Sequence, residues 1–209
     1  MSGPEIVRLR AEDAPTDDIA HLIATAFHQL EVAKWLATDP RARLESMSAQ
    51  FSILVAHALD HGRLEMTSDG HAVAVWVDLT APIPAPVRYE QRLREACGTR
   101  TAQFEALDEA MDRAHPHAPH HHLAFLAVRP GHQDRGRGTA LLEHHHAALD
   151  EDGIAGYLEA SSPANRRLYG RHGYADIGSP ITLPQGPQMW PMWRTARGGQ
   201  VTGGPAADR

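Results

Sequence analysis

A chain of 209 residues, 42% hydrophobic and 22% charged, has the composition of an ordinary soluble globular protein of one large domain or two small ones. Its formal net charge of -6 argues against a nucleic-acid binder, and its single cysteine, Cys97, excludes an intrachain disulfide framework and a cysteine-ligated zinc site. No apolar run reaches the length of a membrane span and the N-terminus lacks a signal peptide's apolar core, so a cytoplasmic protein with no membrane or nucleic-acid partner is expected.

In chain order, Ile6 to Arg10 alternates apolar and polar residues and predicts a first strand. After a polar turn, Thr16 or Asp17 is placed to cap a helix whose apolar residues Ile19, Leu22, Ile23 and Phe27 recur at helical spacing. Trp35 falls in a loop ended by Asp39-Pro40, and a second helix is predicted from Ala42 to Leu59, closed by His61-Gly62. Two strands, Arg63 to Met66 and Ala72 to Val77, are joined by the hairpin signal Ser68-Asp69-Gly70. A proline-rich stretch, Ala81 to Pro86, precedes one or two helices over Tyr89 to Ala114, broken near Gly98. The loop His115 to His122 leads into the apolar run Leu123 to Val128, which suits a buried central strand. A helix from Gly138 to about Asp152 follows, then a strand over Ile154 to Glu159, a short helix over Ala164 to His172, and strands at Tyr174 to Ile177 and Met189 to Trp193. Residues 1 to 197 form the expected single domain, and 198 to 209, GGQVTGGPAADR, is expected to be a disordered tail.

The segment between the central strand and its helix is the most informative. Gln133-Asp134-Arg135-Gly136-Arg137-Gly138 reads Q-x-x-G-x-G after Arg129-Pro130-Gly131 has stopped the strand. Glycines let a backbone approach a ligand, and the first N–H groups of a helix lack internal partners and carry a partial positive charge. Such a turn suits a phosphate, with Arg129, Arg135 and Arg137 adding full charges. It is not a Walker loop, and Leu141 stands where a dinucleotide fingerprint needs its third glycine.

Strand, V-x-P-x-x-Q-x-x-G-x-G and apolar helix together resemble the acetyl-CoA motif of the GNAT N-acetyltransferase superfamily. The order of elements over Ile6 to Arg194 is similar to that family's topology. The resemblance implies a mixed α/β (α+β) fold, with a central, mostly antiparallel sheet of about seven strands flanked by helices. Val7-Arg8-Leu9-Arg10, Asp69-Gly70 before Ala72 to Trp76, Leu158-Glu159-Ala160-Ser161 and Gly186-Pro187 resemble the puromycin N-acetyltransferase-like actinobacterial subfamily. Family likeness places pantetheine contacts at Leu126, Ala127 and Val128, and pyrophosphate contacts on Gln133, Asp134, Arg135, Gly136, Arg137, Gly138 and Thr139. No metal is required by that chemistry.

Acetyl transfer to an amine needs a neutral amine, a stabilised carbonyl oxygen and a protonated leaving thiolate. Asn165 and Tyr169 are spaced i,i+4 and share a helix face. In the resemblance Tyr169 is the general acid and Asn165 touches the pantetheine, while a backbone N–H near Leu126 to Val128 stabilises the oxyanion. A free alkyl amine, with a pKa near 10, is neutral in about one molecule per thousand at pH 7, so a deprotonating route is needed. Glu159, at a strand end, is the first candidate base, or else a supporting carboxylate. His121 and His122 are the runners-up, of which only one can face the acceptor. Trp35 is a candidate for the acceptor pocket, whereas Trp190 and Trp193 read as core.

Fifteen histidines are unusual, and full protonation would carry the formal charge from -6 to +9, so net charge should respond to mild acid. His144 to His146, about 100° apart on a helix, cannot converge on one ion. The loop cluster His115, His117, His120, His121 and His122 reads as solvated histidine that could take up nickel or zinc adventitiously. The expected function is acetyl-CoA-dependent acetylation of a small-molecule primary amine, an antibiotic or a biosynthetic intermediate, in a ternary complex of a monomer or homodimer. The alternatives are a protein N-terminal or lysine acetyltransferase, and a non-catalytic CoA-binding or histidine-rich metal-responsive module.

Overall fold

The computed structural model describes residues 4–12 and 14–198. The tail expected to be disordered therefore lies, beyond Gly198, outside the described residues. The elements are β1 (Ile6–Leu9), α1 (Thr16–Phe27), α2 (Glu31–Leu36), α3 (Pro40–His61), β2 (Gly62–Thr67), β3 (Ala72–Leu79), α4 (Tyr89–Cys97) and α5 (Thr101–Ala114). They continue with β4 (His120–Val128), α6 (Arg137–Asp152), β5 (Ala155–Ala160), α7 (Pro163–Arg171), β6 (Ala175–Asp176), β7 (Ile181–Thr182) and β8 (Gln188–Arg194). No helix among the described residues is long and apolar enough to cross a membrane.

The strands form one mixed sheet in the order β1-β2-β3-β4-β5-β8-β6, with β7 added beside β8, so eight strands stand where about seven were expected. Every pairing is antiparallel except β4 with β5. That parallel pairing covers only His120↔Ala155 to His122↔Tyr157. Beyond it the two strands part, β4 running on to Val128 against β3 while β5 turns to β8.

Two apolar layers hold the sheet. Ile23, Phe51, Val55, Val75 and Phe125 pack one face against α1, α3 and α4. Trp76, Leu141, Leu142, Leu158 and Tyr169 pack the other face with α6 and α7. Which β4 residue faces which layer is decided by a bulge. The β3–β4 register runs from Ala72↔Val128 to Val75↔Phe125, then jumps to Trp76↔Leu123, leaving Ala124 unpaired. One extra residue reverses the facing of everything on its far side.

Local chemistry sets the helix starts that matter. Asp39 accepts from the Ala42 N–H at 2.7 Å and Pro40 occupies the first helical position, so α3 begins two residues before the predicted Ala42. Ser162 accepts from the Asn165 N–H at 3.1 Å ahead of Pro163, which starts α7 by the same device. Neither Thr16 nor Asp17 caps α1, because Thr16 is already helical and Pro15 precedes it. Trp35 lies in the short helix α2, not in a loop: a single turn and a half is too short for periodicity to reveal. His120 to His122 belong to β4, because β-pairing on both sides overrides their polarity.

Candidate active site

The parting of β4 and β5 leaves one edge of β4 without a strand partner. Arg129 N–H donates to the His71 carbonyl at 2.8 Å on the β3 side. By the period of two, Ala127 N–H points the same way, while the N–H groups of Leu126 and Val128 point into the split. At the mouth of the split α6 begins. Its first helical bond runs from Ala140 N–H to the Gly136 carbonyl, and no side chain caps its first turn. Gly136 takes φ +74°, a left-handed conformation that glycine adopts without strain. The first-turn amides thus open onto a cleft of about 560 Å³ lined by Leu126, Ala127, Val128, Gln133, Asp134, Gly136, Arg137, Gly138, Thr139, Asn165 and Tyr169.

The side chains of the turn differ from the expectation in one respect. Arg137 is not a free cation: its guanidinium donates to Asp69 Oδ2 from Nε at 3.0 Å and from Nη2 at 2.5 Å, and to the His132 carbonyl at 3.3 Å. The pairing pins the turn to the β2–β3 hairpin, and the Arg137 hydrogen bond, aided by Thr67, holds the Asp69 carboxyl below the usual carboxylate range. Gln133 accepts from the Gly131 N–H at 3.2 Å and shapes its own loop. Arg135 is exposed and outside the cleft lining.

Helix α7 closes the opposite wall. Asn165 Nδ2 donates to Ser161 Oγ at 3.1 Å, and Tyr169, one turn on, is 8% exposed. Burial pushes the Tyr169 hydroxyl pKa up, so it holds its proton at neutral pH. A second cavity of about 110 Å³ lies between α1, α2, α3, α5 and the sheet. Phe27, Leu30, Leu126, Asn165 and Tyr169 line both cavities, so the two meet at Tyr169.

Glu159 lines the smaller cavity with a side chain only 3% exposed. Its Oε2 accepts from His122 Nε2 at 2.9 Å, while its buried Oε1 has no hydrogen-bond partner. Burial alone would raise this carboxyl, but the charge and hydrogen bond of His122, with His115 and the nearby Tyr157 hydroxyl, outweigh it and set the pKa below its ordinary value. The Tyr157 hydroxyl, itself buried, influences the carboxylate without completing a hydrogen bond. Behind it the tautomers follow from the acceptors. The Ala118 carbonyl can only accept, so His120 Nδ1 carries the proton at 2.7 Å and its Nε2 receives His115 Nε2–H at 3.1 Å. That leaves His115 Nδ1 a bare acceptor 3.8 Å from Glu159 Oε1.

Strand alternation separates the two candidate histidines, and the bulge decides which of them faces the site. His122 faces Glu159, whereas His121 turns to the opposite layer, donating from Nδ1 to His145 Nε2 at 3.0 Å, and stands apart from both cavities. Trp35 also lies outside both linings: its indole N–H donates to the Pro184 carbonyl at 3.0 Å and its ring covers Gly186, so it braces the loop before β8. Of the helix histidines, His144 is exposed, while the other two are not solvated. His145 and His146 are buried, the first bonded to Glu65 at 3.0 Å and stacked on Trp76, the second bonded to the Tyr174 hydroxyl at 3.0 Å. His120 is buried as well. The sequence reading missed Leu168 and Arg171 on α7 and His132 in the turn, which line the larger cleft, and Gln50, Leu107, Met111 and Met189 in the smaller one. Only Gln50 carried a signal, as an amide on the otherwise apolar face of α3.

A sheet split beside its parallel pair, with a glycine turn opening a helix at the mouth, defines the class: this is the GNAT acetyltransferase fold. Residues 97–176 match the family described as acetyltransferase (GNAT) domain. The chain is similar to a Corynebacterium glutamicum structure described as histone acetyltransferase HPA2 and related acetyltransferase, at TM-score 0.70 and 23% identity over 99% of each chain. It is similar to the C-terminal condensation domain of Ebony in complex with beta-alanyl-dopamine, at TM-score 0.59 and 12% identity over 94% of this chain and 100% of that one. Arylalkylamine N-acetyltransferase 2 from Aedes aegypti gives 0.57 and 13% over 93% and 99%. At these identities the likeness is one of fold.

Proposed function

We propose that this protein transfers an acetyl group from acetyl-CoA to the primary amine of a small molecule, both substrates being held at once. The observation that carries the reading is the meeting of two cavities at Tyr169, one lined by uncapped helix amides and an unpaired strand edge, the other ending at a buried carboxylate. When bound, acetyl-CoA supplies the activated acyl thioester. Amides of Gly136 to Thr139 hold its diphosphate, with the α6 dipole assisting, and the Leu126 and Val128 N–H groups lie along the arm. Asn165 orients the same end.

Glu159 Oε1 receives the amine. Taking a proton directly from a free ammonium is steeply uphill for a carboxylate of depressed pKa, so the neutral amine is the nucleophile and Glu159 accepts the proton that bond formation makes acidic. His122, fixed on Oε2, holds the carboxylate in place. Tyr169, protonated and buried, delivers a proton to the departing thiolate. A small acceptor cavity with mostly apolar walls favours a small amine over a protein chain, and an antibiotic or biosynthetic amine in the cytoplasm fits it. Acetyl-CoA should raise the melting temperature, and thiol release should then follow on adding an amine. Stabilisation without release on any amine would leave only a CoA-binding protein.

A further inference from the structure

Resting on that reading, we infer that the acceptor is a monocationic primary amine carried on a short aromatic or bulky aliphatic body, not a polyamine, a guanidino-amine or a peptide. The acceptor cavity is apolar along its walls: Val32 and Leu36 of α2, Met47 and Phe51 of α3, and Leu107 and Met111 of α5. Phe27, Phe51 and Phe125 form a cluster with ring centroids 6.1, 6.1 and 4.6 Å apart, two of the contacts edge-on, which gives a ring from the ligand further edges and faces to meet. Glu159 is the only charged residue in the lining.

One charged residue serves one cationic centre. Glu159 Oε1 lacks a hydrogen-bond donor: the bare Nδ1 of His115 at 3.8 Å is another acceptor, and the nearby Tyr157 hydroxyl does not complete a bond to it. Oε1 is closed to a water-sized probe, so an amine N–H that satisfies it does so with a small shift of the lining around Glu159. A second cation on the same ligand would be left unpaired among hydrocarbon, which is costly. Gln50, the polar side chain on the α3 wall, has its Nε2 already donating to the Tyr89 hydroxyl at 3.0 Å, and that hydroxyl donates to Asp108 at 2.8 Å. Asp108 is thereby occupied, and it stands outside the cavity lining. Size excludes a long peptide but does not separate the small amines: about 110 Å³ holds roughly 7 to 11 non-hydrogen atoms at one probe sphere each, which covers phenethylamine and agmatine alike, so charge decides between them. A peptide's repeated amides would outnumber the few polar side chains on these walls, Gln50, Ser161 and Asn165.

The test measures thiol release across phenethylamine, tyramine, agmatine, spermidine and a short peptide with free N-terminal and lysyl amines. Titration calorimetry of phenethylamine and agmatine into CoA-loaded protein gives a readout independent of turnover. The arylalkylamines should exceed the others in kcat/KM by about tenfold or more, and phenethylamine should bind about tenfold more tightly than agmatine. Met111→Glu, which adds a carboxylate to the wall, should shift the ratio toward agmatine by a similar factor. Agmatine, spermidine or the peptide serving as well as phenethylamine would overturn the inference while leaving acetyl transfer intact. Release with none of them, in protein that acetyl-CoA still stabilises, would overturn the transfer reading and the inference together. Should Met111→Glu fail to melt cooperatively, the wild-type panel and calorimetry still decide.

Discussion

Tyr169 and Glu159 are both buried, yet burial acts on them in opposite ways. Nothing ionic opposes burial at Tyr169, so its hydroxyl keeps a proton to give. At Glu159 a fixed imidazole N–H and neighbouring polar groups reverse the effect, so the carboxyl remains an anion. Two groups pushed to opposite protonation states across one cavity suit an acid and an acceptor of protons. Their removal should therefore separate kinetically. Tyr169→Phe is expected to lower kcat about tenfold or more with both KM values unchanged, whereas Glu159→Gln should lower kcat and also raise the KM for the amine. Steady-state kinetics with both substrates varied checks this, and an unchanged kcat for Tyr169→Phe would remove the tyrosine from the mechanism. The i,i+4 pairing of Asn165 with Tyr169 was legible in sequence because helical spacing alone puts them on one face. The His122–Glu159 bond was not, since 37 residues and a parallel strand pairing separate its ends.

At the scale of elements, two glycines do different work. Gly62 joins α3 to β2 so closely that a Cβ there would overlap the backbone carbonyl of Trp76 in β3, which cannot swing aside. Gly138, in the first turn of α6, would place its Cβ 3.7 Å from Leu126 and 3.8 Å from Val128, ordinary contact. Gly62→Ala should thus cost about 1–3 kcal/mol or more, lowering the melting temperature by several degrees, while Gly138→Ala leaves it nearly unchanged. Thermal melts of the two variants test the contrast. Comparable melting temperatures would mean that β3 yields at Trp76. The turn-to-helix signal of Gly136 to Leu142 was readable because glycine and apolar periodicity are local. By contrast, the tie from Arg137 to Asp69 comes from a hairpin 68 residues away and changes the role of a residue the sequence marked as a free charge.

For the whole molecule, the histidines decide how the fold responds to acid. His115 and His146 are lowered from 6.5 to about 3 and His120 to about 4, each chiefly by burial. In the unfolded chain all three take up protons near pH 6.5, while in the folded chain they remain neutral. Their contribution to stability is therefore complete above pH 6.5 and is lost as pH falls toward 3–4, at about 1.4 kcal/mol per histidine for each pH unit. Denaturant midpoints should drop steeply between pH 6.5 and 4.5, and the swing in net charge expected from fifteen histidines should be incomplete in the native state. A midpoint flat over that range would show these rings to be solvated. A polar run such as His115 to His122 reads as solvent-exposed because composition carries no record of which neighbours will cover it.

Short-range patterns in the chain were sufficient for the strand–turn–helix at Leu126 to Leu142, the pairing of Asn165 with Tyr169, the β2–β3 hairpin and the mixed class of the sheet, because each depends on spacings within a few residues. Tertiary packing alone decided which histidine meets Glu159, that Arg137 is spent on Asp69, and that Trp35 braces a loop instead of lining a cavity. The facing of β4 hangs on one unpaired residue, Ala124, and a strand's side chains change face with every single-residue step. Where that extra residue falls is set by the partners on either side of the strand, which the local sequence does not contain.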